Sequence, residues 1–194
     1  MKTNLKFTAM IALMFTAAVG LAKEPKLSLM TEGESNSLIV ELDSQHEKTY
    51  LKIIDENQNV IFSDKITETS YTTKFDLNEL ENGSYYFKLD DPLRTLIYPI
   101  SVENEEVKIL KRTENNKPVF RQKGDKLFLN LLNLDGKDVE IKVFDSDNRT
   151  LFNEVIENEI IVTKAFNFES AHEDRYIVVV KNGNNTYYED IVVN

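Results

Sequence analysis

The alternation of apolar and polar residues in short runs limits most strongly what this chain can fold into. From residue 26 onward, apolar side chains recur at every second position, and clusters of Asn, Asp, Gly and Glu break the runs. A two-residue period places alternate side chains on one face of a strand, so the runs predict half-buried β-strands joined by turns. Seven such runs fall between residues 26 and 102, and seven more between 119 and 193. Beyond the first 22 residues no stretch has a helical period.

The two halves match each other position by position. Phe62 corresponds to Phe152 at an offset of 90 residues, and Tyr85 corresponds to Tyr176 at an offset of 91. Aromatic, turn and apolar positions agree together, which indicates an internal repeat. Seven short strands in each half predict an all-β chain of two tandem β-sandwiches, immunoglobulin-like or fibronectin type III-like, at residues 23–104 and 105–194.

A corner before each matched tyrosine supports the same fold class. Leu80 and Gly83 precede Tyr85, and Ala171 stands before Tyr176 at the place of Leu80. In such sandwiches a tyrosine buries its ring and bonds its hydroxyl to backbone a few residues upstream. We expect that bond in both halves, and we expect Gly83 to supply a positive φ in the turn.

The end of the first half has two further features. Pro99 interrupts the last strand of this half, and because proline cannot donate to a ladder, we expect an edge strand or a bulge there. The segment that follows is polar at its ends, but Val107, Ile109 and Leu110 can add a strand to one of the domains.

The amino terminus predicts export. Lys2 and Lys6 precede an uncharged, mostly apolar stretch at 7–22, which ends in small residues including Gly20 and Ala22. This pattern is typical of a cleaved signal peptide over residues 1–22, so we expect a mature chain in the periplasm or at the cell surface, without membrane insertion after cleavage. The sequence contains no cysteine, so its domains must be held by apolar cores rather than disulfides.

Net charge excludes some partners. The chain carries a formal charge of −10 and has no basic stripe, which argues against nucleic acid and anionic membranes. An acidic surface otherwise favours solubility. A protein partner is the expectation that remains.

Motifs for catalysis are absent from the sequence. Without cysteine, thiol catalysis and zinc–thiolate sites are excluded, and there is no Gly-x-Ser-x-Gly elbow, P-loop or His-Glu-x-x-His helix. The two histidines, His46 and His172, fall in different predicted loops. The sequence therefore predicts no catalytic residue, no metal site, no cofactor and no enzyme.

One turn carries hard oxygen ligands. Asp145, Asp147 and Asn148 lie in the segment FDSDNR, and such oxygens suit Ca²⁺. The glycine and distal glutamate of an EF-hand loop are missing. A hairpin turn in which Asp and Asn bond their own backbone is the favoured interpretation, and calcium is the weaker alternative.

The segments VEIKVFDSDNRTLFNEVI, FNFESAHEDRYIVVV and YYEDIVV carry a family resemblance. Together they resemble the carboxy-terminal sorting domains of the type IX secretion route, and the first half shares the pattern in LKIIDENQNVIFSDKI and FDLNELENGSYYFKL. The Pro-Asn-Pro-like opening and the basic carboxy terminus of those domains are absent. The resemblance implies an exported, uncharacterised family of tandem immunoglobulin-like modules.

The predicted function is a non-catalytic binding or structural module that acts through protein–protein contacts. Strand alternation turns apolar side chains of the second domain outward, so we expect a binding face at Phe128, Leu132, Phe144, Ile177 and Val179. Packing of that face against the first domain or against residues 107–110 is an equal alternative. A carbohydrate-binding accessory protein or a hydrolase is the alternative function.

Overall fold

A computed structural model describes residues 26–31, 37–43, 48–103 and 106–193, which form β-strands and their connections. The predicted signal peptide and His46 lie outside the described residues. In the first half the strands are β1 (Lys26–Thr31), β2 (Ser37–Asp43), β3 (Thr49–Asp55), β4 (Val60–Ile66), β5 (Ser70–Asp76), β6 (Gly83–Asp90), β7 (Arg94–Glu103), β8 (Glu106–Ile109) and β9 (Thr113–Asn116). In the second half they are β10 (Val119–Lys123), β11 (Lys126–Leu132), β12 (Val139–Phe144), β13 (Thr150–Ile156), β14 (Ile161–Asn167), β15 (Asp174–Asn182) and β16 (Asn185–Val193).

These strands form four antiparallel sheets. We call the first sandwich the sheets with orders β1-β2-β5 and β4-β3-β6-β7-β8, where β9 also pairs with β7. We call the second sandwich the sheets with orders β10-β11-β14 and β13-β12-β15-β16. The predicted all-β sandwich class is confirmed. Across the described ranges no helix of membrane-spanning length and hydropathy occurs.

Each sandwich has its own apolar core, built from alternate residues of its strands. In β11 the buried residues are Leu127, Leu129 and Leu131, and in β6 burial alternates in the same way. Phe87 is the largest fully buried side chain of the first core. Because successive side chains of a strand point to opposite faces, one apolar residue in two is enough to fill the space between two sheets.

The tyrosine corners are present in both halves. The Tyr85 hydroxyl donates to the Glu81 carbonyl over 2.9 Å, and the Tyr176 hydroxyl donates to the His172 carbonyl over the same distance. Burial is the main cause that raises the pKa of Tyr85. The expected hydroxyl-to-backbone bond is therefore confirmed. The expected positive φ at Gly83 is wrong, and a Cβ there would make only ordinary contact, so nothing in the structure requires glycine.

Residues 106–116, which the sequence assigned to the second domain, pair with β7 of the first sandwich. Ile100 faces Ile109 but Ile97 faces Thr113, so the added strand carries one extra residue opposite this stretch of β7. Pro99 lies within the same stretch. The extra residue lies on the added strand and not on β7, whose pairing with β6 is regular. β7 also has β6 on one side and β8 and β9 on the other, so it has neither the bulge nor the edge position expected at Pro99.

Charged contacts fasten the far end of this added strand. Arg94 Nη1 lies 2.8 Å from Glu114 Oε1, and Lys117 Nζ lies 2.8 Å from Asp90 Oδ1. Lys117 Nζ also donates to the Asp91 carbonyl over 2.7 Å. The Asp91 carboxylate is buried and accepts the Arg94 backbone N–H over 2.8 Å. Residues 113–117 are thus fixed to the hairpin between β6 and β7.

We predict that Tyr85→Phe and Tyr176→Phe each lower the free energy of unfolding by about 1 kcal/mol, because each leaves a carbonyl of the corner without its donor. Urea denaturation followed by circular dichroism measures this difference. Tyr188→Phe is the matched control, since the Tyr188 side chain is exposed. Equal stability of all three variants and the parent would contradict a stabilising corner bond.

Candidate functional site

The five residues of the predicted binding face do not lie on one surface. Phe128 and Leu132 belong to β11, in one sheet of the second sandwich. Phe144, Ile177 and Val179 belong to β12 and β15, in the other sheet. Outer faces of the two sheets of a sandwich point in opposite directions, so the single predicted face is wrong. Alternation tells which side chains point outward but not which sheet carries them.

The outer face of the β13-β12-β15-β16 sheet holds three of these residues. Phe144 faces Ile177 across the ladder, and Val179 faces Tyr188. Tyr188 and Val192 are the most exposed apolar side chains of β16, at 67% and 57%. Two ion pairs divide this surface, Lys142–Glu140 and Arg175–Asp190.

The second sandwich also contains a cleft. It lies beside β13 and β14, which are the end strands of the two facing sheets, and has a volume of about 490 Å³. A volume of this size with mostly apolar walls is typical of ligand sites. Its apolar lining consists of Val143, Leu151, Phe152, Ala165, Phe166, Phe168, Ala171 and Tyr176.

Three polar residues line the cleft, Lys164, Asn167 and His172, and the first two are bound to neighbours outside it. Lys164 Nζ lies 2.5 and 2.7 Å from the two carboxylate oxygens of Glu154, and 5.9 Å from the ring centroid of Phe152. The Asn167 side-chain oxygen accepts the Glu169 backbone N–H over 3.1 Å. Since the ammonium is neutralised by Glu154, the cleft favours an apolar group over an anion.

The first sandwich has an aromatic pair that the second sandwich lacks. There the ring of Phe75 packs edge to face against Phe87, with centroids 5.5 Å apart. Phe166 stands at the position of Phe75 in the second sandwich, and Val178 stands at the position of Phe87. Val178 is fully buried but has no ring, so Phe166 lacks this partner.

A second size difference lies at the corner itself. Leu80 packs against the first core, whereas Ala171 occupies the matching position and lines the cleft. Phe168 replaces Leu77 and stacks at a tilt on Tyr176, with centroids 5.1 Å apart, which returns part of the lost volume on one side. The cleft thus has a smaller side chain than the first sandwich at Ala171 and a larger one at Phe168.

The turn after β12 has the hydrogen bonds of the hairpin interpretation. The Asp145 carboxylate accepts the backbone N–H of Asp147 at 3.1 Å and of Arg149 at 2.9 Å, and Nε of Arg149 at 2.7 Å. Asn148 has a φ of 59°. Donors of the turn, including a guanidinium, thus occupy both carboxylate oxygens of Asp145, one of the three candidate Ca²⁺ ligands. No group of three or more His, Cys, Asp or Glu within the described ranges is placed to share a metal ion.

Part of the chain matches a known protein family. Residues 19–110 match the family described as "Domain of unknown function (DUF3244)", which covers the first sandwich through β8. The second sandwich lies outside the match. No match to a curated protein was found. The resemblance to type IX sorting domains stays a prediction.

Solved structures match this chain only at low similarity. A structure titled "Biofilm associated protein - BSP domain" is 14% identical with a TM-score of 0.29, covering 88% of this chain and 29% of that one. The human OSCAR ligand-binding domain is 8% identical with a TM-score of 0.26, covering 87% and 97%. A β-glucuronidase from an uncultured Clostridium sp. is 11% identical with a TM-score of 0.29, covering 86% and 34%. These values support no statement about ligand or activity.

Sequence reasoning missed the cleft, although the signal was present. Ala171 was recognised as the counterpart of Leu80 but only as a corner position. Comparing side-chain volumes at the matched positions Leu80 and Ala171 points to the space that the second sandwich leaves open. Such a comparison needs the inward or outward direction of each residue, which the period-two pattern supplies.

The Asp145 turn gives a pH prediction. Burial raises the pKa of Asp145. The hydrogen bonds and charge of Arg149 and the backbone N–H of Asp147 lower it by a larger amount, so the net pKa lies below its usual value. A carboxyl whose pKa is lower in the folded than in the unfolded state stabilises the fold at pH values above its unfolded pKa of about 3.9. This stabilisation is lost as the pH falls through the folded pKa. Asp145→Asn should therefore destabilise the protein at pH 7, and the difference should shrink below about pH 4. Thermal unfolding between pH 7 and 2 measures it.

Asp147→Asn is the control for this series, because Asp147 is exposed and lies 3.6 Å from Arg149 Nη2. A deficit of Asp145→Asn that stays constant down to pH 2 would exclude the carboxylate charge as its cause.

Proposed function

We propose that this protein is a non-catalytic binding module that acts outside the cytoplasm, in the periplasm or at the cell surface, and contacts a partner protein through its second sandwich. The observation that carries the proposal is the apolar cleft beside β13 and β14. Burial of apolar surface is the main source of binding free energy that such a cleft offers. The basic and apolar pattern of residues 1–22 supports export.

The occupant of the cleft is an apolar side chain of the partner. Leu80 packs against the first core at the position of Ala171, which lines the cleft, so a leucine-sized group has the volume that the second sandwich lacks there. The cleft opens between β13 and β14, the edge strands of the two sheets. A partner can reach it there without breaking the hydrogen bonds between strands. Pairing of Lys164 with Glu154 leaves no uncompensated cation at the wall.

We predict that Ala171→Leu closes the cleft as Leu80 does in the first sandwich. The variant should keep its circular dichroism spectrum and bind the uncharged dye N-phenyl-1-naphthylamine about tenfold more weakly, because the added side chain occupies the site. Leu80→Ala is the converse variant and should create new dye binding in the first sandwich. Fluorescence titration measures both.

The double variant Ile177→Lys with Val179→Glu is the control, since both residues lie on the outer face and not in the cleft. It should bind dye as the parent does. The proposal fails if Ala171→Leu binds dye like the parent, or if the outer-face variant removes the binding.

Export gives a separate prediction. Cell fractionation should recover the protein outside the cytoplasm, and mass spectrometry should find a mature amino terminus near Lys23, because residues 1–22 are removed on translocation. Replacing Leu13 with Arg breaks the apolar stretch and should retain the uncleaved chain in the cytoplasm. An intact amino terminus on the exported protein would contradict a cleaved signal peptide.

A further inference from the structure

The two sandwiches differ at one sheet edge. In the first sandwich β7 is covered by β8 and β9, which run antiparallel to it. Matching positions show that β16 corresponds to β7, with Tyr176 and Ile191 at the places of Tyr85 and Ile100. Within the described part of the chain, β16 pairs with β15 on one side and with no strand on the other.

β16 lacks three devices that usually protect an edge, which are proline, lysine and a bulge, and Glu189 is its one charged residue on the inward face. All nine of its residues pair with β15 in one uninterrupted register. Its sequence, NTYYEDIVV, contains no proline, lysine or arginine. Two of its own apolar side chains, Tyr188 and Val192, are exposed. Long, regular edges without proline, bulges or lysine are open to pairing with another strand.

The first sandwich indicates which residues of β16 point their backbone N–H and C=O groups away from β15. The Pro99 carbonyl accepts the Leu110 backbone N–H over 2.9 Å, so the polar backbone groups of that position face the added strand. Every second residue of a strand repeats this direction. At the offset of 91 residues the backbone of Tyr188, Asp190 and Val192 therefore faces the open edge.

Glu189 is the central residue of β16. Glu189 occupies the position of Tyr98, whose hydroxyl lies 3.4 Å from Nη1 of Arg112 on the added strand. Glu189 is half-buried, and no hydrogen bond or ion pair of its side chain is found among the described residues. A basic residue placed as Arg112 is in the first sandwich would supply the missing partner.

We propose that the open edge of β16 binds an extended segment of a partner polypeptide, which adds as an antiparallel strand and places Lys or Arg against Glu189 between apolar residues. Main-chain hydrogen bonds provide the attachment, and Glu189 selects the basic residue. This site is separate from the cleft, because no residue of β16 lines the cleft. Each can therefore fail without the other.

The probe is a synthetic peptide with the sequence of residues 106–116, EVKILKRTENN, which covers β7 in the intact chain. Fluorescence anisotropy should record saturable binding of the labelled peptide to the purified full chain. Tyr188→Pro should abolish binding, because it removes a backbone donor on the open edge and leaves the β15–β16 ladder its own bonds. Glu189→Lys should weaken binding about tenfold and restore it for a peptide with Lys111→Glu and Arg112→Glu.

Glu157→Lys is the matched control, since it makes the same charge change at an exposed position outside β16 and should bind the peptide as the parent does. If Tyr188→Pro does not fold, the charge exchange at Glu189 still decides the question. Failure of the peptide to bind, or binding that none of the edge variants alters, overturns the proposal. Sedimentation that reveals a dimer lost on Glu189→Lys also overturns it, because a second copy would then occupy the edge.

Discussion

Burial of alternate side chains between two sheets is the constraint on which the rest of this fold depends. No cysteine is present, so no disulfide can make up for a weakly packed core. Both cores are built from Leu, Ile, Val and Phe at every second strand position, and the tyrosine corners lie at their margins. Apolar burial contributes about 25 cal/mol per Å², and sandwiches of this size depend on it almost entirely.

That dependence explains why the difference between the two sandwiches is informative. A core close to native packing density leaves few voids wider than a water molecule, so an apolar cleft at its margin costs stability. The second sandwich carries Ala171 and Val143, which line the cleft, where the first carries Leu80 and Ile53. Larger apolar residues at those positions would fit the fold, since the first sandwich accommodates them. A cost that the fold could avoid supports a binding role for the space.

Most of the fold was predictable from the sequence, because the period of two and the turn residues are local signals. The strand of residues 113–116 was missed, since Thr-Glu-Asn-Asn has no apolar alternation and is held by Arg94 and by pairing with β7. Phe128 and Ile177 were grouped wrongly, because alternation gives direction but not sheet membership. Cleft and open edge depend on contacts between distant strands, so the pattern of a single strand could not predict them.

The path of the chain out of the first sandwich has a mechanical consequence. Tension that arrives from the second sandwich loads β9 first at Asn116, which lies opposite Arg94. Two ion pairs, Arg94–Glu114 and Lys117–Asp90, stand at that end and must separate before β9 can peel from β7. Salt screens partly exposed charges, so the force that starts peeling falls as ionic strength rises. We therefore expect the connection between the two sandwiches to resist a pulling force less strongly as the salt concentration rises.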